Sequence, residues 1–315
     1  MTPVATGRNF LQVAARTFPR QLVRSRAFAF FCLAAAVALF ALSILGMIIP
    51  IRNPEIYHEP RNIFTNDITL TAEEFWKRVP RRADESTPDY ARRMTETVAD
   101  GIAHIQQADR RTMQKYRMEI PIWENYLIWA SRHIVQAQRW VCGTLDKRGS
   151  AYRYQFSDYR RAVERGVGLC PTHAFIMKKI LKAKGFHIQI AGIGRHTVTR
   201  AEVAPDTWWV LDPDFGVAIP YDLAALRENP RLIGPYYEAR GHSKEWIGEL
   251  EVWFADPNPI FIDTVRQAQG SVRYYFEFAS YYLIWIIPAV LLVTGGSCLR
   301  QTARKTATNP RSHAG

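Results

Sequence analysis

Two long stretches without a charged side chain set the outer limits of this 315-residue chain: Ala27 to Ile51, 25 positions, and Phe278 to Leu299, 22 positions. A helix needs roughly 20 apolar residues to cross a bilayer core, so each stretch is long enough to span one. The first runs to Pro50 and lacks a small-residue cleavage site, which marks a retained anchor and not a removed signal peptide. The second contains Pro288 and Gly295-Gly296, which a transmembrane helix accepts more readily than a buried soluble helix does. The expected layout is a tail at 1–26, a span at 27–51, one domain at 52–277, a second span at 278–299 and a tail at 300–315.

The formal charge of +12 would suit a nucleic-acid binder if it were spread over the domain. It is concentrated at the ends. Residues 1–26 hold Arg8, Arg16, Arg20, Arg24 and Arg26 with no acid, and residues 300–315 hold Arg300, Arg304, Lys305 and Arg311, which leaves +3 for everything between. No nucleic-acid partner is expected. Basic flanks resist translocation, so both tails are expected in the cytoplasm and the 52–277 domain across the cytoplasmic (inner) membrane, in the periplasm of a Gram-negative cell.

Of the four cysteines, Cys32 and Cys298 fall within the spans, where a thiol behaves as a small hydrophobe. Cys142 and Cys170 belong to the outer domain, and a disulfide between them is the plainest reading in an oxidising compartment. Along that domain the sequence reads as a loop over Arg52–Thr71 with Pro54, Pro60 and Asn66, a short helix over Ala72–Val79, and a longer helix over Pro88–Met113. Ile120–Cys142 reads as a helix with a core stripe of Ile122, Tyr126, Trp129, Ile134 and Trp140. Tyr236–Trp253 is ambiguous, and Pro259–Glu277 reads as a helix running into the second span.

The chemistry concentrates between Arg165 and Gly216. Gly166 and Gly168 permit a tight approach to Cys170, Pro171 suits a first helical turn, and Gly185 suits the helix end. Cys170 is therefore expected at a helix N-terminus, where free N–H groups and the helix dipole favour the negative charge of a thiolate nucleophile. Two strand-like runs follow, Phe186–Ile193 and His196–Val203, then a turn at Ala204-Pro205-Asp206 and a third run ending Trp208-Trp209-Val210-Leu211-Asp212-Pro213. His196 and Asp212 are symmetric about Ala204, so a hairpin there sets them side by side, with Cβ atoms roughly 5 Å apart. Asp212 would orient the imidazole, His196 would manage the proton, and Cys170 would attack a carbonyl.

Gly168-Leu169-Cys170 at a helix start, His196-Thr197-Val198 opening a strand and Leu211-Asp212-Pro213 closing the next resemble the pattern of the transglutaminase-like superfamily. The resemblance covers about 50 residues. It implies an α+β, papain-like core, a helical lobe plus an antiparallel sheet, here flanked by two transmembrane helices. It also implies acyl chemistry at Cys170, His196 and Asp212, as a cross-linking acyltransferase, a cysteine peptidase or an amidase. The cysteine lacks the flanking tryptophan of the animal cross-linking enzymes, having Leu169 and Pro171 instead, and no calcium-site pattern is evident, which counts against calcium-dependent cross-linking. Hydrolysis is the preferred reading, with the choice between water and an amine left to the cleft.

A second oxyanion donor, beside the Cys170 N–H, is sought at Gln155 or Tyr154, and Trp208 on the Asp212 face is a candidate cleft wall. Asp214 is the rival third triad member. His173 is read as a helix-surface residue and His187 as a strand residue. A metal site from Cys170, His173 and His196 lacks the paired spacing of zinc sites, and no metal or cofactor is called for. The expected partner is a peptide or protein substrate near the membrane surface. The alternative is a non-catalytic envelope scaffold whose groove holds a peptide or a polysaccharide-assembly partner.

Overall fold

In the computed structural model, residues 26–58, 68–105, 110–142 and 154–308 are described. Pro60, Asn66 and the tail residues Arg8, Arg16, Arg20, Arg24 and Arg311 lie outside the described residues. The chain is α+β. In order it forms helices α1 (Arg26–Ile48), α2 (Ala72–Arg78) and α3 (Thr87–Gly101), strand β1 (Ala103–His104), and helices α4 (Arg110–Lys115), α5 (Tyr126–Val141) and α6 (Tyr159–Arg165). Then come β2 (Val167–Gly168), α7 (Cys170–Ala183), β3 (Ile188–Ile193), β4 (His196–Ala204), β5 (Thr207–Asp212) and β6 (Val217–Ile219). The chain ends with α8 (Leu223–Glu228), α9 (Gly234–Glu238), α10 (Lys244–Phe254), β7 (Ile260–Ile262), α11 (Val265–Gln269) and α12 (Ser271–Thr308).

The chain divides into two compact units. The first takes in α1, Trp123–Tyr126 and α12 from Ser280 onward. Helices α1 and α12 are each long and apolar enough to cross a membrane. Within this unit the Ser43 hydroxyl lies within hydrogen-bonding distance of both the Leu39 and the Ile284 carbonyls, at 3.0 and 3.1 Å. Asn125 bonds Ser280 at 2.9 Å. Gly295 lets α1 come close, since a Cβ there would meet the Ala29 carbonyl at 2.9 Å, a small-residue contact of the kind that joins helices in lipid.

The second unit, Ile49–Ile122 with Leu127–Ala279, carries a five-stranded antiparallel sheet of order β6-β5-β4-β3-β7. Strand alternation gives the sheet two buried faces. On one, Ala191, Ile193, Val198, Val210, Val217 and Ile219 pack with Leu223, Leu226, Tyr237, Ile247 and Phe254 from α8–α10. On the other, Ile190 meets Ala174 and Phe175 of α7, and the Arg92 guanidinium of α3 sits 5.4 Å from the centre of the Trp209 ring.

Several sequence expectations change. The helix expected over Pro88–Met113 stops at Gly101, whose missing Cβ leaves room for the Phe75 ring. Ile102 then turns extended, and β1 pairs in parallel with β2. Helix α5 starts only at Tyr126, and its expected core stripe is largely open: Ile134 is 67% and Trp140 70% exposed, with Ile128 and Gln136 the buried positions. Helical spacing lays out a face, but only an opposing element makes it core. The run 259–277 is no single helix, because it opens with β7, and α11 ends at Gly270 with a left-handed φ of +84°.

Arg52, expected only as part of an exit loop, holds this unit together near the future site. Its guanidinium donates to the Tyr57 hydroxyl at 2.8 Å, the Leu70 carbonyl at 2.7 Å, Gly101 at 3.1 Å, Val163 at 2.5 Å and Glu164 at 3.3 Å. Three of those carbonyls end α3 and α6, where the helix dipole favours a cation. We expect Arg52→Ala to lower stability by about 2–4 kcal/mol, measured by chemical unfolding of the full chain in detergent, because several carbonyls lose a charged donor together. Arg52→Lys should recover little of it, since an ammonium lacks the planar fork.

Candidate active site

Cys170 is placed by the two glycines before it. Gly166 closes α6 in a left-handed conformation with φ +73°, and a Cβ on Gly168 would meet the Thr172 side chain at 2.7 Å. Leu169, extended at φ −123°, caps α7, and its N–H donates to the Thr172 hydroxyl at 3.3 Å. Cys170 thus opens the helix with Pro171 behind it, in the first turn whose N–H groups have no intrahelical acceptor. It is partly exposed, and both Cys142 and Cys170 are free thiols, so the disulfide weighed from the sequence is not formed.

His196 opens β4 and Asp212 closes β5. Their register differs from a hairpin centred on Ala204: the turn is Pro205-Asp206, a bulge falls between Glu202 and Ala204, and Thr199 pairs with Leu211. Asp212 is therefore diagonal to His196, displaced by two positions. A shift of two keeps both side chains on one face, where a shift of one would have separated them. The His196 Nε2 meets the Asp212 carboxylate at 2.8 Å.

Both residues are buried, and Asp212 is fully so. Its carboxylate is held by two further donors: the Tyr237 hydroxyl at 2.5 Å and the Asp214 N–H at 3.1 Å. Burial disfavours the charged form of His196, yet the Asp212 charge and hydrogen bond, with a smaller share from Cys170, outweigh it and hold its pKa well above the usual 6.5. The Cys170 Sγ, a His196 ring nitrogen and an Asp214 oxygen lie within 4.8 Å of one another. With Nε2 given to Asp212, the nitrogen left toward the thiol is Nδ1. The ring is flanked by Phe215 at 5.4 Å and Trp253 at 6.0 Å, centre to centre.

Asp214, the rival carboxylate, heads a second buried cluster. It lies 2.6 Å from His104 Nδ1, 3.4 Å from His173 Nδ1 and 3.9 Å from His196 Nδ1. His173 is fully buried, not on the helix surface, and its two nitrogens face the Leu169 and Ile102 carbonyls, each at 2.9 Å. Carbonyls only accept, so both bonds form only when that ring carries two protons. Burial alone would raise the Asp214 pKa, but the charges of His104 and then His173 outweigh it and hold the carboxyl below its ordinary 3.8.

Two donor sets are compact enough for a metal ion, His104-His173-Asp214 and Cys170-His196-Asp214. In the first, His173 has no lone pair to offer while it donates at both nitrogens. The metal set weighed from the sequence, Cys170, His173 and His196, is not one of the compact groups among the described residues.

The remaining sequence candidates have these surroundings. Tyr154 donates its hydroxyl to Glu277 at 2.9 Å, and at Gln155 the backbone carbonyl accepts from Gln269 and Arg273. Trp208 sits near the turn end of β5, against His187 at 4.8 Å and the Arg200 guanidinium at 4.3 Å, four residues from Asp212 along the strand. His187 is exposed and pairs with Glu202. His104 and Tyr237 were not singled out by sequence. His104 stands between apolar residues in a two-residue strand, and Tyr237 lies in an ambiguous run, so neither carried a periodic or motif signal. No protein-family model, curated protein or solved structure matches the chain.

The Asp214 shift has a definite sign. A depressed carboxyl pKa adds stability above its unfolded value and loses it as pH falls through the folded value. The parent should therefore destabilise below about pH 4, whereas Asp214→Asn should start less stable at pH 7 and show a flatter acid limb. Thermal midpoints recorded from pH 7 to pH 2 test this, and parallel acid limbs would refute it.

Proposed function

We propose that the chain is a membrane-anchored thiol enzyme that cleaves or transfers an amide acyl group, with Cys170 as nucleophile, His196 as base and acid, and Asp212 as orienting carboxylate. The observation that carries the reading is a partly exposed thiol at a helix start beside an imidazole whose far nitrogen is held at 2.8 Å by a buried carboxylate. Each residue occupies the position its role requires, and the resemblance to transglutaminase-like enzymes agrees with that arrangement.

In the proposed reaction His196 Nδ1 takes the thiol proton as the Cys170 sulfur attacks the carbonyl carbon, and an S–C bond forms as the carbonyl π electrons move to oxygen. The Cys170 N–H is one donor to that oxyanion. Collapse breaks the C–N bond, and the leaving amine takes the proton held at His196 Nδ1. Water, or an amine in the transfer case, then attacks the thioester and gives its proton to His196, and the sulfur leaves. Asp212 keeps Nε2 as a donor throughout, and Tyr237 holds the carboxylate in place.

The two apolar helices and the basic flanks support an anchored domain outside the cytoplasmic membrane, with a peptide or protein substrate near the bilayer surface. Hydrolysis is the preferred reading, and the residues beside Cys170 count against calcium-dependent cross-linking.

Iodoacetamide alkylation of Cys170, followed by peptide mass spectrometry from pH 5 to pH 9, tests the site without a known substrate. The parent should react rapidly well below pH 8, and His196→Ala should be slowed about 100-fold at pH 6, within the usual range for loss of a positioned base. Asp212→Asn should fall between them. Equal rates in parent and His196→Ala would sink the enzyme reading in favour of a non-catalytic scaffold.

A further inference from the structure

A cavity of about 340 Å³ lies in the second unit, away from the thiol, between α7 and the segment from β7 to the start of α12. Its volume falls in the range of small-ligand sites. Phe175, Lys178, Lys179 and Lys182 of α7 form one wall, three and four residues apart on a single helix face. Lys178 is some 12 Å along the helix from Cys170, at 1.5 Å per residue, so the cavity is separate from the proposed catalytic site.

Its electrostatics are lopsided. Lys178, Lys179, Lys182 and Arg266 face one carboxylate, Asp263, a net of +3 in the lining. A bland lysine face would be solvated, and Lys179 and Lys182 are exposed, but Lys178 is nine-tenths buried. Its ammonium donates to the Ile262 carbonyl at 3.2 Å, and among the described residues no carboxylate reaches it as an ion pair. Burial lowers the Lys178 pKa, with Lys182 and Lys179 adding to that and Asp263 opposing. Like charges at helical spacing destabilise a helix, so the cluster costs stability that a bound anion would offset.

Tyr274 and Tyr275, on the first turns of α12, complete the lining. Tyr275 lies about 4.5 Å along the helix axis from Phe278, where the apolar run begins. Tyrosines in such a position mark the headgroup level of a bilayer.

We propose that this cavity binds an anionic phosphate group, carried to it by the headgroup of a membrane lipid. The net +3 lining favours a net negative phosphate over a zwitterionic headgroup, and Tyr274 and Tyr275 of the lining precede the apolar run of α12 by about one helical turn of sequence. The lipid source rests on the membrane reading of α1 and α12; the phosphate chemistry rests on the cavity alone.

The test uses the full chain in maltoside detergent, titrated calorimetrically with short-chain phosphatidylglycerol, short-chain phosphatidylcholine and inorganic phosphate. One-site phosphatidylglycerol binding is expected, weakened about tenfold, or 1.4 kcal/mol, in Lys179→Gln/Lys182→Gln, whose changes lie at exposed positions. Phosphatidylcholine should not bind. Competition by inorganic phosphate alongside lipid binding supports the phosphate as the recognised group, and phosphate binding without lipid binding overturns the lipid source. Absence of binding by either anion, or an unchanged affinity in the double variant, overturns the site. Cys170→Ser should bind as the parent does, so failure of the thiol-enzyme reading and failure of this site are separable, and alkaline carbonate extraction of membranes tests the anchoring independently.

Discussion

Asp212 and Asp214 bury two carboxylates two residues apart, and a carboxylate taken out of water persists only with donors and cations around it. The local architecture meets that requirement from several elements at once. Asp212 receives His196 from β4, Tyr237 from α9 and the Asp214 amide, while Asp214 receives His104 from β1 and has His173 of α7 beside it. Removing any one of these groups leaves a charge whose compensation is incomplete. The two carboxylates therefore bind together pieces of chain more than 100 residues apart, and the geometry around Cys170 is a product of that charge balance.

The pair also divides the work between the two sides of the His196 ring. Asp212 engages Nε2 directly, and Asp214 stands 3.9 Å from Nδ1, close enough to favour a protonated ring but too far for a hydrogen bond. An imidazole held this way keeps its orientation whichever way the proton moves at Nδ1. In the proposed chemistry that is the property wanted of a group that acts first as base and then as acid.

Much of this was legible in residues 165–216, because the local signals there are backbone signals. Gly166, Gly168 and Pro171 specify a sharp turn into a helix, and alternation through Val198–Asp212 specifies a hairpin with one shared face. The exact register escaped, since the bulge at Glu202–Ala204 has no sequence marker, and only the even size of the slip kept His196 and Asp212 together. Tyr237, His104 and Arg52 escaped for a different reason. Each acts through long-range contact, and a single sequence shows which side chains exist without showing which distant carboxylate or carbonyl they meet. The stripe on α5 failed in the opposite direction: Ile134 and Trp140 have core-like spacing, and nothing in spacing supplies the opposing surface.

Helix α7 links the proposed chemistry to the proposed anion cavity through one rigid element. Its first residue is the candidate nucleophile, at the end where the helix dipole favours negative charge, and its lysines gather toward the other end, where the dipole favours positive charge. A thiolate at Cys170 and ammonium groups at Lys178, Lys179 and Lys182 thus each follow the polarity of the same helix. The lysines nonetheless stand at neighbouring positions of one face, and the single carboxylate of Asp263 relieves their repulsion only in part. An anionic phosphate bound on that face, as proposed, would relieve the remainder.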